Sequence, residues 1–131
     1  MTKKVKKLTI TDLLKQKEKY QVKSDTTEEL FIERFQSSIT IKKPERSLIM
    51  ESISMTEDKD QAEKADDFLV YNIVVEPNLK DAELQKEFGC AEPTDIVGKL
   101  FDAGEVTNIA KFAMDMLGYG ASVKQVSDLK N

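Results

Sequence analysis

The chain has 131 residues, 40% hydrophobic and 34% charged, with 20 Lys+Arg against 24 Asp+Glu. That length suits one domain with its own core, and a net charge of −4 makes a poor general binder of nucleic acid or anionic membrane. With no His and a single Cys, Cys90, the chain lacks the parts for Ser/His/Asp or Cys/His catalysis, a His-ligated metal, a CxxC motif or an internal disulfide.

No apolar run approaches the roughly 18–20 residues that span a bilayer. The Lys-rich start is not followed by the apolar h-region of a secretory signal. Composition alone therefore predicts a soluble, cytoplasmic, single-domain protein without catalytic machinery.

Residues 1–7 hold Lys3, Lys4, Lys6 and Lys7 and read as a solvated tail rather than a polyanion-binding arm. Thr9 or Thr11 can cap a short helix over Thr11–Tyr20, with Leu13 and Leu14 as its apolar contacts. Residues 21–28 are a connector, so residues 1–28 form a flexible basic arm with a short helix.

The period then changes. Leu30, Ile32 and Arg34 alternate with Phe31, Glu33 and Phe35, and Ile39 and Ile41 alternate with Thr40 and Lys42. Two short strands joined near Gln36–Ser38 follow from this pattern. A lone hairpin is marginal in water, so it must pack on helices or pair with another chain.

Pro44 stops the second strand and suits an early helical position. Leu48, Ile49, Ile53 and Met55 have helical spacing, with a strand over Leu48–Ile53 as the competitor. Thr56 is an N-cap candidate, followed by acidic residues in a first turn. Ala62, Ala65, Leu69, Asn72 and Ile73 then predict one long helix through about Val75, although the apolar run 68–75 could also be a strand. Pro77 ends it.

The C-terminal third reads as short helices. One starts at Lys80 or Asp81, carries Leu84 and Phe88, and stops at Gly89. Pro93-Thr94-Asp95 starts the next, with Ile96, Val97, Leu100 and Phe101 inward, and Gly104 ends the connection that follows. Glu105–Leu117 carries a stripe of Val106, Ile109, Ala110, Ala113, Met116 and Leu117, closed by Gly118-Tyr119-Gly120. Gly98, inside a helical pattern, suggests a close helix–helix approach. The resulting fold class is α+β, mostly α: a short N-terminal β-hairpin packed on a bundle of about five helices. Residues 29–120 form the single globular domain, and residues 121–131 a polar C-terminal tail.

The chemical constellations mostly dissolve on inspection. Asp58–Asp60 begins like a calcium loop, but position six is Glu63 rather than Gly, and position twelve is Leu69 rather than Glu. The acidic run reads as a solvated helix face. The five glycines form no phosphate loop. Cys90, beside Ala91 and Glu92, reads as an inert, partly buried thiol. Met50, Met55, Met114 and Met116 lie on apolar stripes and read as core, with an adaptable partner surface as the functional alternative. No catalytic, cofactor or metal residue is assigned.

One stretch is distinctive: Val75-Glu76-Pro77-Asn78-Leu79-Lys80-Asp81-Ala82-Glu83-Leu84-Gln85, then Phe88-Gly89, Pro93-Thr94-Asp95-Ile96-Val97, Lys99-Leu100-Phe101, Gly104-Glu105 and Gly118-Tyr119-Gly120. This pattern resembles the XkdN-like tail assembly chaperones of tailed phages and PBSX-like prophages of Gram-positive bacteria, over roughly residues 30–120. The shared residues are packing and turn residues, silent about active sites. The resemblance implies a non-enzymatic phage tail assembly chaperone in the bacterial host cytoplasm, absent from the mature virion. Its partner would be the tape measure protein, kept soluble while the tail tube polymerises. It further implies the tail tube protein and a frameshifted longer form of the chaperone as partners, and it allows a homo-oligomer.

The residue-level reading is compatible with such a role. Helix-in-groove contacts, with Met and aromatic residues at the groove, would hold an apolar partner. The absence of phosphate loops argues against ATP-driven release, and displacement by tail tube subunits would suffice. The contact surface is expected on the C-terminal helices, with Phe101, Phe112, Met116 and Tyr119 as its exposed apolar members. The alternative that all four are core stays open. A structural tail component retained in the particle is the second reading, since the hairpin could add strands to neighbours. A helix-turn-helix regulator drawn from residues 93–117 would carry only Lys111 as a base on its second helix, too little for DNA.

Overall fold

The computed structural model describes residues 5–129. Lys3 and Lys4 of the basic arm and the last two residues of the tail lie outside the described residues. The fold is α+β, with 53% helix, 12% strand, a three-stranded antiparallel sheet and seven α-helices among the described residues. The sheet is one strand larger than the hairpin read from the sequence.

The arm holds two short helices, α1 (Ile10–Lys15) and α2 (Lys17–Tyr20), rather than one. Thr9 caps α1: its hydroxyl accepts the Asp12 N–H, and Asp12 accepts the Thr9 N–H. The backbone leaves the helical region at Gln16. Neither helix buries a residue, and Leu13 and Leu14 are both exposed rather than apolar contacts.

Strand β1 (Thr27–Ile32) pairs antiparallel with β2 (Ser37–Lys42), Leu30 opposite Ile39. The connection is a 3-10 turn over Glu33–Phe35 plus Gln36 in the left-handed region, so Arg34 leaves the strand alternation. Leu30, Ile32, Ile39 and Ile41 make the buried face. Strand β3 (Val74–Glu76) pairs antiparallel with β2, Ile41 opposite Val74, and gives the order β1-β2-β3. A bulge between Thr40 and Ile41 accommodates the extra residue Val75.

Helix α3 (Arg46–Thr56) confirms the helical alternative for that segment. Pro44 precedes the cap residue Glu45 instead of entering the first turn. Ile49 and Ser52 are buried while Ile53 is exposed. Ser52 donates its hydroxyl to the Ala65 carbonyl at 3.3 Å, so two small residues bring α3 close to the next helix.

The predicted long helix from Thr56 does not form. Thr56 is the last residue of α3, and the acidic residues after it fall in turns. Negative charge at a helix C-terminus opposes continuation, and the Asp58 carboxylate accepts the Asp60 N–H in a local turn. A 3-10 turn over Ala62–Lys64 leads into α4 (Ala65–Ile73). Ala65, Leu69, Val70 and Ile73 of α4 are buried, and the helix touches α3, α6 and α7. The chain passes from Ile73 straight into β3, so the sequence expectation of helix through Val75 ends two residues early. The Glu76–Pro77 bond is cis.

Helix α5 (Ala82–Glu87) starts at Asp81, whose carboxylate accepts the Leu84 N–H at 2.9 Å, and closes at Gly89 with φ +67°. Helix α6 (Asp95–Leu100) buries Ile96 and Val97. Helix α7 (Ala103–Met116) buries Val106, Ile109, Ala110 and Ala113, as its stripe predicts, with Met116 and Leu117 half-buried against the core. Gly104 lies in the first turn of α7 rather than ending a connection. Gly98 is exposed, and a Cβ built there meets no atom within 4 Å, so it permits no close helix approach.

Two substitutions check this packing by urea unfolding. Ile73→Ala removes a fully buried side chain from α4 and is expected to cost about 2–5 kcal/mol. Gly98→Ala fills open space in a helix and is expected to stabilise by about 0.5–1 kcal/mol.

Candidate polypeptide-binding surface

The turn of the hairpin is tied to α7 by one side chain. Arg34 donates from its terminal nitrogen to the Leu100 carbonyl at 2.7 Å and to Glu105 Oε1 at 2.9 Å, and from Nε to Glu105 Oε2 at 3.2 Å. Asp102 Oδ2 lies 3.3 Å from the same Nε. The guanidinium also sits 4.5 Å from the Phe35 ring centroid, and that ring packs 6.0 Å from Phe101. A forked guanidinium on a carboxylate is directional in a way that an ammonium is not. Glu105 also accepts the Asp102 N–H at 2.8 Å, so one carboxylate both caps α7 and holds the hairpin.

The Arg34 hydrogen bonds, and then the Asp102 N–H, hold the Glu105 carboxyl below the usual carboxylate range. Sequence reading placed Arg34 on the strand face. Its partners lie about 70 residues away, a separation of 71 for Glu105, which no local pattern reports.

This anchor leaves a gap between β1 and α7. A cleft of about 210 Å³ is lined by Leu30, Phe31, Ile32, Glu33, Glu105, Asn108, Ile109 and Phe112. Phe31 is 58% and Phe112 49% exposed. The concavity continues along α7 past Lys111 to Asp115. A second cleft of about 210 Å³ lies between α3 and the end of α7, lined by Arg46, Ile49, Met50, Leu117, Gly118 and Tyr119. Met50 is 58% and Tyr119 47% exposed there. Gly118 and Gly120 both have positive φ, which turns the chain so that Tyr119 projects beside α3.

The four expected surface residues therefore separate. Phe112 and Tyr119 are exposed, each in a different cleft. Met116 is half-buried against the core. Phe101 is only 4% exposed and is a core residue. The inward face that helical spacing assigned to Phe101 holds: at the extended end of α6 its ring packs against Phe35, and its place among the exposed members is corrected. Phe31 was missed as a surface residue, and Met50, read as core with a partner surface as the alternative, is exposed. Phe31 falls on the solvent face of the Leu30/Ile32 alternation, and that signal was available in the sequence. Met50 follows Ile49 on α3, one step off the buried side.

Among the described residues no three His, Cys, Asp or Glu side chains converge as a metal site. The Asp67 carboxyl is pushed up, first by burial and then by Asp66 and Asp95. Cys90 is half-buried against the core. No helix among the described residues is long and apolar enough to cross a membrane.

Fold and surface together define a small α+β domain with two clefts that carry exposed large side chains, Phe31 and Phe112 in one and Met50 and Tyr119 in the other. Comparison with protein families makes the identification: the model of the phage XkdN-like tail assembly chaperone family matches residues 3–130. The chain belongs to that family, and the match includes most of the arm and tail that the sequence reading set apart. Membership implies a non-catalytic role and protein partners in the tail. Neither curated proteins nor solved structures gave a match.

The Arg34–Glu105 pair has a signed pH dependence. A carboxyl depressed in the folded state adds stability above its unfolded value of about 4.3, and that stability is lost as pH falls through the folded value. Urea midpoints of wild type and Glu105→Gln should thus differ at pH 7, with the wild type higher, and converge once the pH falls below the depressed folded value of the Glu105 carboxyl. Arg34→Lys should lower the midpoint at pH 7, because the fork is lost.

Proposed function

We propose that this domain binds the tape measure protein and keeps it soluble while the tail tube assembles. Family membership supplies the tail-assembly context. The observation that carries the finer reading is a pair of clefts with exposed large side chains, Phe31 and Phe112 beside α7 in one and Met50 and Tyr119 beside α3 in the other.

The physical argument is one of reversible apolar contact. A chaperone for a long polypeptide must hold many short segments and then release them. Shallow clefts lined by one or two exposed aromatic or Met side chains give contacts of moderate strength. Each such contact is easily displaced, so tail tube subunits arriving along the tape measure protein can replace the chaperone without nucleotide hydrolysis. This role places the protein in the bacterial host cytoplasm and outside the finished particle. A frameshifted longer form would add a second partner-binding region, and self-association would raise the number of clefts presented to one partner.

Co-expression with the tape measure protein encoded beside it tests the proposal. The tape measure protein should move to the soluble fraction and co-purify with the tagged chain. Phe112→Ser with Tyr119→Ser should reduce the co-purified amount at least about fivefold, as expected for loss of two interface anchors, while leaving the thermal midpoint within a few degrees. An insoluble tape measure protein in both cases, with this chain stoichiometric in purified virions, would instead support a structural tail component.

A further inference from the structure

We propose that the outer edge of β1, together with the cleft between β1 and α7, docks an extended basic segment of another polypeptide as a fourth strand of the sheet. The inference rests on the chaperone reading only for the source of that segment.

The register shows which backbone groups are available. The Lys43 N–H donates to the Thr26 carbonyl at 2.8 Å, next to the Thr27–Lys42 pair. Residues 26, 28, 30 and 32 therefore turn their backbone groups toward β2. Thr27, Glu29 and Phe31 turn theirs outward, on a side where the sheet order places no strand. No β2 residue lines the β1–α7 cleft, so the cleft opens on that same side. An incoming strand would pair with Thr27, Glu29 and Phe31, and alternate side chains would enter the cleft between Phe31 and Phe112.

The charges select the occupant. Glu28, Glu29 and Glu33 lie along β1 and its turn, and Asp115 stands on the flanking helix, all exposed. Against them stand Lys111, and Arg34 whose charge is already met by Glu105 and Asp102. A second copy is disfavoured: pairing β1 with itself through Thr27, Glu29 and Phe31 sets Glu29 opposite Glu29. Edge charges commonly block pairing outright. Here an exposed Phe31 in the middle of the edge and Phe112 across the cleft leave an apolar seat, so the glutamates exclude acidic strands and admit basic ones.

The test uses the full chain, isotopically labelled, and three blocked peptides. The first alternates Lys and Val over six residues. The second alternates Glu and Val. The third is the Lys/Val peptide with every second backbone nitrogen methylated. The Lys/Val peptide should shift the amide resonances of residues 27–33 and 105–115. It should bind at least about tenfold tighter than the Glu/Val peptide, and methylation in the register that faces β1 should abolish binding. Phe112→Ala, at an exposed site, should weaken binding without unfolding the chain, and Glu29→Lys with Glu33→Lys should reverse the charge preference.

Shifts centred on Met50 and Tyr119, indifference to methylation or to peptide charge, or no shift at millimolar peptide would each overturn the proposal. The two readings fail separately. A tape measure protein that co-purifies, while the basic peptide leaves residues 27–33 unshifted, removes the docking edge alone. Peptide binding at β1 without tape measure capture leaves the edge standing and removes the chaperone reading.

Discussion

The fold depends on a junction that has no loop. Helix α4 ends at Ile73 and β3 begins at Val74, and both residues are buried. The helix that touches α3, α6 and α7 is thereby continuous with an edge of the sheet. A short sheet with one apolar face is unstable unless that face is covered. The junction fixes one sheet edge covalently to the central helix, and Ile41, opposite Val74, is carried into the same core. Ile41, Ile73, Leu79, Ile96 and Val97 are all fully buried in that cluster, so strands and helices share one core rather than two.

The far end of the sheet is held differently. The hairpin turn is distant from β3 and relies on Arg34, which reaches the α6–α7 corner through a carbonyl and a forked carboxylate. This contact is exposed and screened by solvent, so its value is orientational more than energetic. It fixes the angle between the hairpin and α7, and the space left between them is the cleft lined by Phe31 and Phe112. The covalent junction thus holds the β3 side of the sheet, and the cleft of Phe31 and Phe112 lies at the β1 side.

What the sequence made legible was local. The α7 stripe, the Asp81 cap, the stop at Gly89 and the alternation of Leu30 and Ile32 each depend on residues within one or two turns. The third strand was open as an alternative for 68–75, but its boundary was illegible because Leu69, Val70, Ile73 and Val74 continue one apolar run. Only pairing with Ile41, 33 positions earlier, separates the helix from the strand. Thr56 misled because the same residue type starts helices and tolerates their ends; the acidic residues that suggested a first turn instead follow a last one. The surface was half legible. Phe112 stood off the buried stripe, as expected for an exposed residue. Helical spacing already placed Phe101 on the inner face, where it lies, so its choice as an exposed member ran against that pattern. Arg34 had no signal at all, since its role is defined by partners across the chain.

For a member of the XkdN-like tail assembly chaperones, the proposed role gives a division of labour: the core would keep the clefts in place, and a partner would fill them. Hydrogen–deuterium exchange on the free chain and on its complex with the tape measure protein measures both halves together. The account predicts that α4 and β2 exchange slowest in the free chain, and that complex formation adds protection at Glu29, Phe31 and the exposed face of α7. New protection confined to α1, α2 or α5, with β1 unchanged, would contradict it.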